Sequence, residues 1–393
     1  MNKHILDPAV QEYIGSNLNA DVHKIAMAKS PFPEITGTEL SSQIAAKKKC
    51  IKKLPLWFST AGIYYPPLLS VEQCSSELTA SYKAKLSAGG KLIDLTGGYG
   101  VDSYYFSKSN SAVVHVELNP ELSAIAQYNS ALLNQSHSTF ICGDGIDLLK
   151  DDSEEYGTIY IDPARRSESG KVFMLKDCSP NVVENLDLLL SRSPLILIKT
   201  APLLDLTAGL KELKNVAEIH VVSVKNECKE LIWVVKRDYT ADVKIFCTTL
   251  NDAEKQFSFM KNEETQTVTF GSPVSGQYLY EPDVALLKGG AFNLIAARFK
   301  LQKLHAQTQL YFSNHADHDF PGRIFKIDEV MPAGKIKKEK NLIGNVIVRN
   351  FPDKAASITE KYQIKADDKH FLIFTQSAGK GKIVIKASII QHY

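Results

Sequence analysis

The stretch Lys91-Leu-Ile-Asp-Leu-Thr-Gly-Gly-Tyr-Gly100 constrains this chain more than any other. Leu92, Ile93 and Leu95 supply a short buried strand, and the backbone must then turn sharply through Gly97, Gly98 and Gly100. A helix pattern follows, from Asp102 through Tyr104, Tyr105 and Phe106. Strand, glycine turn and helix in that order bring a ligand against bare backbone amides at the start of a helix. Further on, Val113-Val-His-Val-Glu117 reads as a second buried strand ending in a carboxylate. An acidic side chain at that point can accept hydrogen bonds from both hydroxyls of a ribose. The unit predicts an open α/β sheet with a nucleoside-bearing ligand at its strand ends. The alternative is an α/β core with a tight turn and no ligand.

Two cofactor classes use such a unit. A dinucleotide needs G-x-G-x-x-G, so that its pyrophosphate can sit at the helix start. Here Ser103 occupies the last fingerprint position, and the acidic Asp94 ahead of the turn disfavours a phosphate. Asp94 suits a cationic amino group instead, as on the methionine half of S-adenosylmethionine. The pattern Asp94-Leu-Thr96-Gly97-Gly98-Tyr-Gly100 resembles motif I of the class I methyltransferases, D-x-G-x-G-x-G, with Thr96 in place of the first glycine.

The rest of the chain is read around this unit. At 393 residues, two or three domains are expected. No run approaches the ~20 apolar residues of a membrane span, and the first residues lack the apolar segment of a signal peptide. Six cysteines without a C-x-x-C pair fit a reducing compartment and argue against a zinc site, so the expected location is the cytoplasm. The charge is uneven. Residues 1–70 carry 8 Lys against 5 acidic residues, residues 323–393 carry 14 basic against 7 acidic, and the middle holds 24 basic against 32 acidic. An acidic core with basic ends suits an enzyme with separate polyanion-gripping parts, or equally charge blocks on solvated faces.

Residues 1–85 form an expected helical region. Pro8–Ile14 starts after Asp7, placed to cap, and Glu39–Lys53 ends in the cluster Lys47, Lys48, Lys49, Lys52 and Lys53. Trp57, Phe58, Tyr64 and Tyr65 then either stack on single-stranded nucleic acid or pack the helices on the next domain. A helix over 71–80 leads into the glycine unit. Residues 86–240 alternate apolar runs with helix-length segments. The runs are 92–95, 113–116, 139–142, 158–161, 195–198 and 219–224, followed by 231–235 after a connection too short for a helical crossover, so the last pair is antiparallel. Five or six parallel strands and a final antiparallel one make the Rossmann-like sheet of the class I methyltransferases. Residues 241–321 are expected to form a small β, ferredoxin-like linker region, with strands at 243–250, 256–260 and 265–270 and a helix running to about Lys300. Residues 322–393 read as a basic α+β module, with strands at 323–327, 345–348, 370–375 and 382–389 and a helix near 355–361.

Candidate site residues lie where the parallel strands end. Asp94, Thr96, Gly98 and Gly100 belong to the cofactor loop, Glu117 to the ribose, and Asp144, at the end of Phe140-Ile-Cys-Gly-Asp144, to the position where an adenine amine is read. Thr158-Ile-Tyr-Ile-Asp162-Pro-Ala-Arg-Arg166 carries the candidate catalytic group, Asp162, Pro163 and Arg165. It resembles the D/N/S-P-P-aromatic motif of amino-methyltransferases, which binds the exocyclic amine of a base. Ala164 and Arg165 depart from that motif, and Arg165 and Arg166 could grip phosphate instead. A helix cap is the bland alternative for Asp162. Ring-carbon methylation would need a cysteine nucleophile. Lys199-Thr-Ala-Pro-Leu-Leu-Asp205 has none, and Cys142 and Cys228 read as incidental.

The phrases Gln73-Cys-Ser-Ser-Glu77, Asp162-Pro-Ala-Arg-Arg166, Tyr280-Glu-Pro-Asp283, Phe320-Pro-Gly-Arg323 and Arg349-Asn-Phe-Pro352 resemble the bacterial class I methyltransferases that carry a THUMP-like C-terminal domain. That resemblance covers nearly the whole chain. It implies S-adenosylmethionine as cofactor and RNA, tRNA or rRNA, as partner, methylated at a base amine. Lys335, Lys337, Lys338 and Lys340, which crowd a loop-like stretch next to Gly334, and Arg349 are the candidate RNA-binding residues. The rival readings are a methyltransferase for a small molecule or protein, and a non-catalytic RNA-binding protein.

Overall fold

The computed structural model describes residues 1–165, 174–263 and 267–393. The chain forms two compact units, residues 1–217 with 231–241, and residues 218–230 with 242–393.

The first unit is built on the parallel strands β1 (Lys91–Asp94), β2 (Ala112–Glu117), β3 (Ser138–Cys142), β4 (Thr158–Ile161) and β5 (Leu195–Thr200). They are ordered β3-β2-β1-β4-β5, every neighbouring pair parallel. Nearly continuous burial along β1, β2 and β4 is what helices on both faces of a parallel sheet require. The chain then forms the hairpin β6 (Val216–Val224) and β7 (Glu227–Lys236), and β7 pairs antiparallel with β5. The expected seven strands, with the last antiparallel, are present.

The N-terminal helices pack mainly against the helices that flank this sheet, Val101–Phe106 and Pro120–Leu132. Trp57, Tyr64 and Tyr65 are buried, and Trp57 meets the Tyr104 ring edge-on at 5.1 Å. These aromatics are core, which removes base stacking for the three. Local chemistry sets the helix bounds. The long helix begins at Gly37, ahead of Glu39, because Thr36 and Glu39 form a capping box. The helix expected over 71–80 is two, Leu68–Gln73 and Glu77–Ala84, because the Ser76 hydroxyl caps the second. Asp7 stands at an N-cap position, but its carboxylate makes no cap bond and faces His4 at 3.6 Å.

In the second unit β8 (Lys244–Leu250) pairs parallel with β6 and antiparallel with β9 (Glu254–Met260). The third strand expected at 265–270 is absent among the described residues, where Phe270 makes an isolated bridge to Lys303. A seven-stranded sheet follows. It comprises β10 (Tyr278–Pro282), β11 (Gln302–His305), β12 (Thr308–Ser313), β13 (Gly322–Pro332), β14 (Asn345–Val348), β15 (His370–Ser377) and β16 (Gly381–Gln391), in the order β11-β12-β10-β13-β16-β15-β14. The helix expected after Ala291 is Phe292–Arg298, and a further one, Val284–Gly289, precedes it and ends where Gly290 turns left-handed at φ 82°. One face of the sheet buries Phe325, Phe371 and Ile385, and the other buries Ile336, Ile358 and Phe374.

Candidate functional site

Five adjacent parallel strands end at one edge, and each delivers a polar group there: Asp94 from β1, Glu117 from β2, Asp144 beyond β3, Asp162 beyond β4 and Lys199 from β5. The glycine loop crosses this edge. Gly98 and Gly100 take φ values of 56° and 85°, a region that glycine enters without a Cβ penalty. Gly97 lies so close over His115 that a Cβ there would stand 2.1 Å from the ring.

Hydrogen bonds pin the loop to its neighbours. The Gly98 N–H donates to Glu117 Oε2 at 2.8 Å, and the other Glu117 oxygen accepts from Asn119 N–H at 2.8 Å. Each carboxylate oxygen keeps a further lone pair, and the side chain is half-buried. Thr96, the departure from glycine, has a use of its own: its Oγ1 accepts the Asp162 N–H at 2.7 Å. That bond ties the loop to the end of β4.

Asp94 lies beneath the loop rather than on its surface. It is 1% exposed, and its oxygens accept from Thr96 N–H at 3.0 Å and Ser103 Oγ at 2.6 Å. Burial pushes its carboxyl up to about 7, against the Ser103 hydrogen bond. Asp94 thus shapes the loop from beneath, each of its oxygens holding one hydrogen bond within the fold; its expected contact with a cofactor amino group stays a proposal. Ser103 Oγ also meets His115 Nδ1 at 3.1 Å. Since the hydroxyl proton goes to Asp94, the ring donates through Nδ1. Burial drives His115 down to about 3, so the ring is neutral.

A second buried network supports the helix that follows the loop. Asp102 Oδ2 accepts from Ser75 Oγ at 2.8 Å and Tyr160 OH at 2.9 Å, and Lys83 Nζ stands 3.2 Å from Oδ1. Burial opposes the charge of Asp102, but Lys83 and Lys199 together with these hydrogen bonds hold it below the usual carboxylate range. In Gln73-Cys-Ser-Ser-Glu77, Ser75 thus holds Asp102, Ser76 caps a helix, and Glu77 accepts from Leu56 N–H at 2.6 Å and Tyr105 OH at 3.0 Å.

Asp162 caps no helix. Pro163 follows it, buried, and then the short strand Ala164–Arg165 pairs with Cys178–Ser179. The Asp162 carboxylate forms an ion pair with Lys199 Nζ. Lys199 is the member of the site that the sequence did not assign; a lysine at the end of the apolar run Leu195–Ile198 was its only signal. The Arg165 side chain and Arg166 lie outside the described residues. Asp144 is exposed and caps the helix Gly145–Asp151, accepting from Ile146 N–H at 2.8 Å. It stands near Glu117, whose carbonyl accepts the Gly143 N–H at 3.0 Å.

The remaining candidates lie in the second unit. Lys335, Lys337 and Lys338 sit on the 3-10 turn Ala333–Lys338 rather than a loop, with Lys340 just beyond. All four are exposed, and none pairs with a carboxylate among the described residues. Arg349 is not a free cation, since its Nη2 lies 2.7 Å from Glu281 Oε1. A phosphate there would meet a guanidinium already charge-paired, on a side chain 43% exposed.

Residues 278–321 match the model of a ferredoxin-like domain, and residues 322–387 that of a THUMP-like domain. No curated protein sequence gives a significant match. The chain is similar to the crystal structure of a candidate methyltransferase from Porphyromonas gingivalis W83, with 29% identity, 99% of each chain covered and a TM-score of 0.86. Two others overlap only in part. A SAM-dependent methyltransferase from Agrobacterium tumefaciens shares 19% identity over 32% of this chain and 43% of its own, with a TM-score of 0.25. A candidate methyltransferase from Streptococcus mutans, solved with SAH, shares 14% identity over 41% and 96%, with a TM-score of 0.31. In its sheet, its ferredoxin-like and THUMP-like segments and their order, the chain has the architecture of the class I methyltransferases with a THUMP-like C-terminal domain.

Proposed function

We propose that this chain methylates RNA, at a base amine, with S-adenosylmethionine as donor. The observation that carries the reading is the Gly98–Glu117 arrangement. A glycine in a left-handed turn, with only Thr96 O within 4 Å of the position a Cβ would take, adjoins a carboxylate that retains acceptor capacity. Such a pair suits a nucleoside ribose, and Asp144 stands at the same edge for the base. When bound, S-adenosylmethionine supplies an electrophilic methyl group, and the protein's task is positioning and a place for the acceptor's proton.

Asp162 fits the second task. Its carboxylate is a third exposed, is charge-paired with Lys199, and has its backbone fixed by Thr96. It can accept a hydrogen bond from an amine presented at the strand end, and Lys199 sets its position. RNA as the acceptor class is supported by the THUMP-like match and by the four unpaired lysines on and beside the exposed 3-10 turn.

The test is transfer of labelled methyl groups to total RNA from a strain lacking the protein. Wild type should label RNA. Asp162→Ala should keep cofactor affinity within a few-fold and reduce turnover by roughly 10²–10⁴. Labelling of a small-molecule extract but not of RNA would move the acceptor class, and NAD binding as tight as that of S-adenosylhomocysteine would overturn the cofactor.

A further inference from the structure

The second unit holds a cavity of about 340 Å³, lined by residues that include Phe259, Lys261, Glu263, Phe292, Asn293 and Lys303. None of them belongs to the candidate site described above. The volume lies at the low end of the ~300–1,000 Å³ typical of small-molecule sites, which suits one nucleotide better than a dinucleotide.

Lys303, on β11, is the unusual member. It is 3% exposed, yet among the described residues its ammonium has a single hydrogen-bond acceptor, the carbonyl of Ala306 at 3.2 Å. Its Nζ stands 5.8 Å from the centre of the Phe292 ring, and no carboxylate pairs with it among the described residues. The acid in the cavity wall, Glu263, is committed elsewhere: Arg298 Nη2 reaches its two oxygens at 2.7 and 2.8 Å, and Met260 N–H donates to Oε2 at 3.2 Å. Lys261 is exposed at the same cavity and has no ion pair among the described residues. Among the described residues, the lining therefore presents two uncompensated cations and one acid already neutralised.

A buried ammonium without a counter-charge is costly. Burial correspondingly holds the Lys303 amine below the usual lysine range. An apolar residue would fill the same space without that cost, so the charge calls for an anion from outside. Lysine meets phosphate as a point charge, and Phe292, half-buried in the cavity wall, offers ring surface on which a base can lie.

We infer that this cavity binds a nucleoside 5′-monophosphate group, its phosphate paired with Lys303 and Lys261 and its base against Phe292. The group can be a free nucleotide or the 5′-terminal nucleotide of an RNA. The inference does not depend on the methyltransferase reading.

The test is calorimetric titration of the full chain with uridine 5′-monophosphate, and with uridine as the control lacking phosphate. Wild type should bind the monophosphate and not uridine, more weakly as rising pH takes the proton from the Lys303 amine. Lys303→Met should weaken binding at least about tenfold, a change of about 1.4 kcal/mol, and leave the melting temperature unchanged or raised. Lys261→Ala, at an exposed position, should weaken binding several-fold, and Glu117→Ala should leave it unchanged. A 5′-phosphorylated RNA tetranucleotide that binds tighter than the mononucleotide assigns the RNA end, and one that binds no tighter assigns the free nucleotide. Three results would overturn the proposal: no binding to wild type at millimolar concentrations, equal affinity in Lys303→Met, or loss of binding in Glu117→Ala. If Lys303→Met fails to fold, unaltered binding by Lys261→Ala also overturns it.

Discussion

Two carboxylates of the first unit, both read from the sequence as cofactor contacts, have different surroundings and so different expected phenotypes. Glu117 is half-buried and holds Gly98 N–H while keeping spare acceptor sites. Glu117→Ala should weaken S-adenosylhomocysteine binding by about 1.5–3 kcal/mol, the worth of hydrogen bonds to a charged group; unchanged affinity by calorimetry would exclude it as the ribose ligand. Asp94 is enclosed, with a carboxyl raised to about 7 from an ordinary 3.8. Between those values the native chain keeps a proton that the unfolded chain has lost. The unfolded state then binds fewer protons, so this group makes stability fall as pH rises through the window and level off above the folded value. Asparagine can keep both partners, since its amide oxygen accepts from Thr96 and its NH₂ can donate to Ser103, and it does not ionise. Asp94→Asn should therefore gain stability relative to wild type between pH 5 and pH 7.5, on the order of 2 kcal/mol. Urea unfolding at the two pH values checks this, and parallel pH profiles would contradict it. The acidic positions were legible as residue types at strand ends. Which of them is buried, and that Thr96 reaches Asp162 or Lys199 pairs with it, depends on strands far apart in sequence lying side by side.

Element boundaries followed local chemistry where that chemistry was written in a few adjacent residues. The parallel strands and the final antiparallel one could be read because their apolar runs and the lengths of their connections leave little choice. The break at Ser76 and the early start at Gly37 were missed because caps, not periodicity, set them. The lysine-rich segment of the second unit is another case. Its pattern looked like a loop, yet Ile336 is buried among Met331, Leu372 and Val384 and fixes a 3-10 turn that leaves Lys335, Lys337 and Lys338 in solvent. Because the anchor is Ile336, replacing these three and Lys340 with alanine should leave the turn docked and cofactor binding intact. If the lysines meet RNA phosphates, each lysine–phosphate pairing removed should reduce the slope of log K against log salt by about 0.7–0.9. Filter binding of structured RNA over a range of salt measures the slope, and an unchanged slope would favour a small-molecule acceptor.

At the scale of the molecule, phrases that were separate signatures in the sequence turn out to be parts of one structure. Glu281 of Tyr280-Glu-Pro-Asp283 is 2% exposed and lies opposite Arg323 of Phe320-Pro-Gly-Arg323 in the pairing of β10 with β13. Arg323 Nε donates to Glu281 Oε2 at 2.8 Å, Arg349 of Arg349-Asn-Phe-Pro352 lies 2.7 Å from Oε1, and Tyr393 OH donates to Oε2 at 3.2 Å. The sequence could not reveal this convergence, because Arg323 and Tyr393 lie 42 and 112 residues from Glu281 and only the sheet register joins them. The node also crosses the border between the ferredoxin-like match, which ends at 321, and the THUMP-like match, which begins at 322. Since β10 and β13 are neighbours in one seven-stranded sheet, the two matched segments should unfold together. Glu281→Ala tests this. It leaves Arg323, at 16% exposure, without its counter-charge, while Arg349, at 43%, can turn to water. The expected loss is therefore at the lower end of the ~3–5 kcal/mol seen when one partner of a buried ion pair is removed. Hydrogen exchange should show residues 278–282 and 322–332 losing protection by the same amount. If the first segment loosens while the second keeps its protection, the ferredoxin-like and THUMP-like parts are separate folding units and the ion node is only a surface clasp.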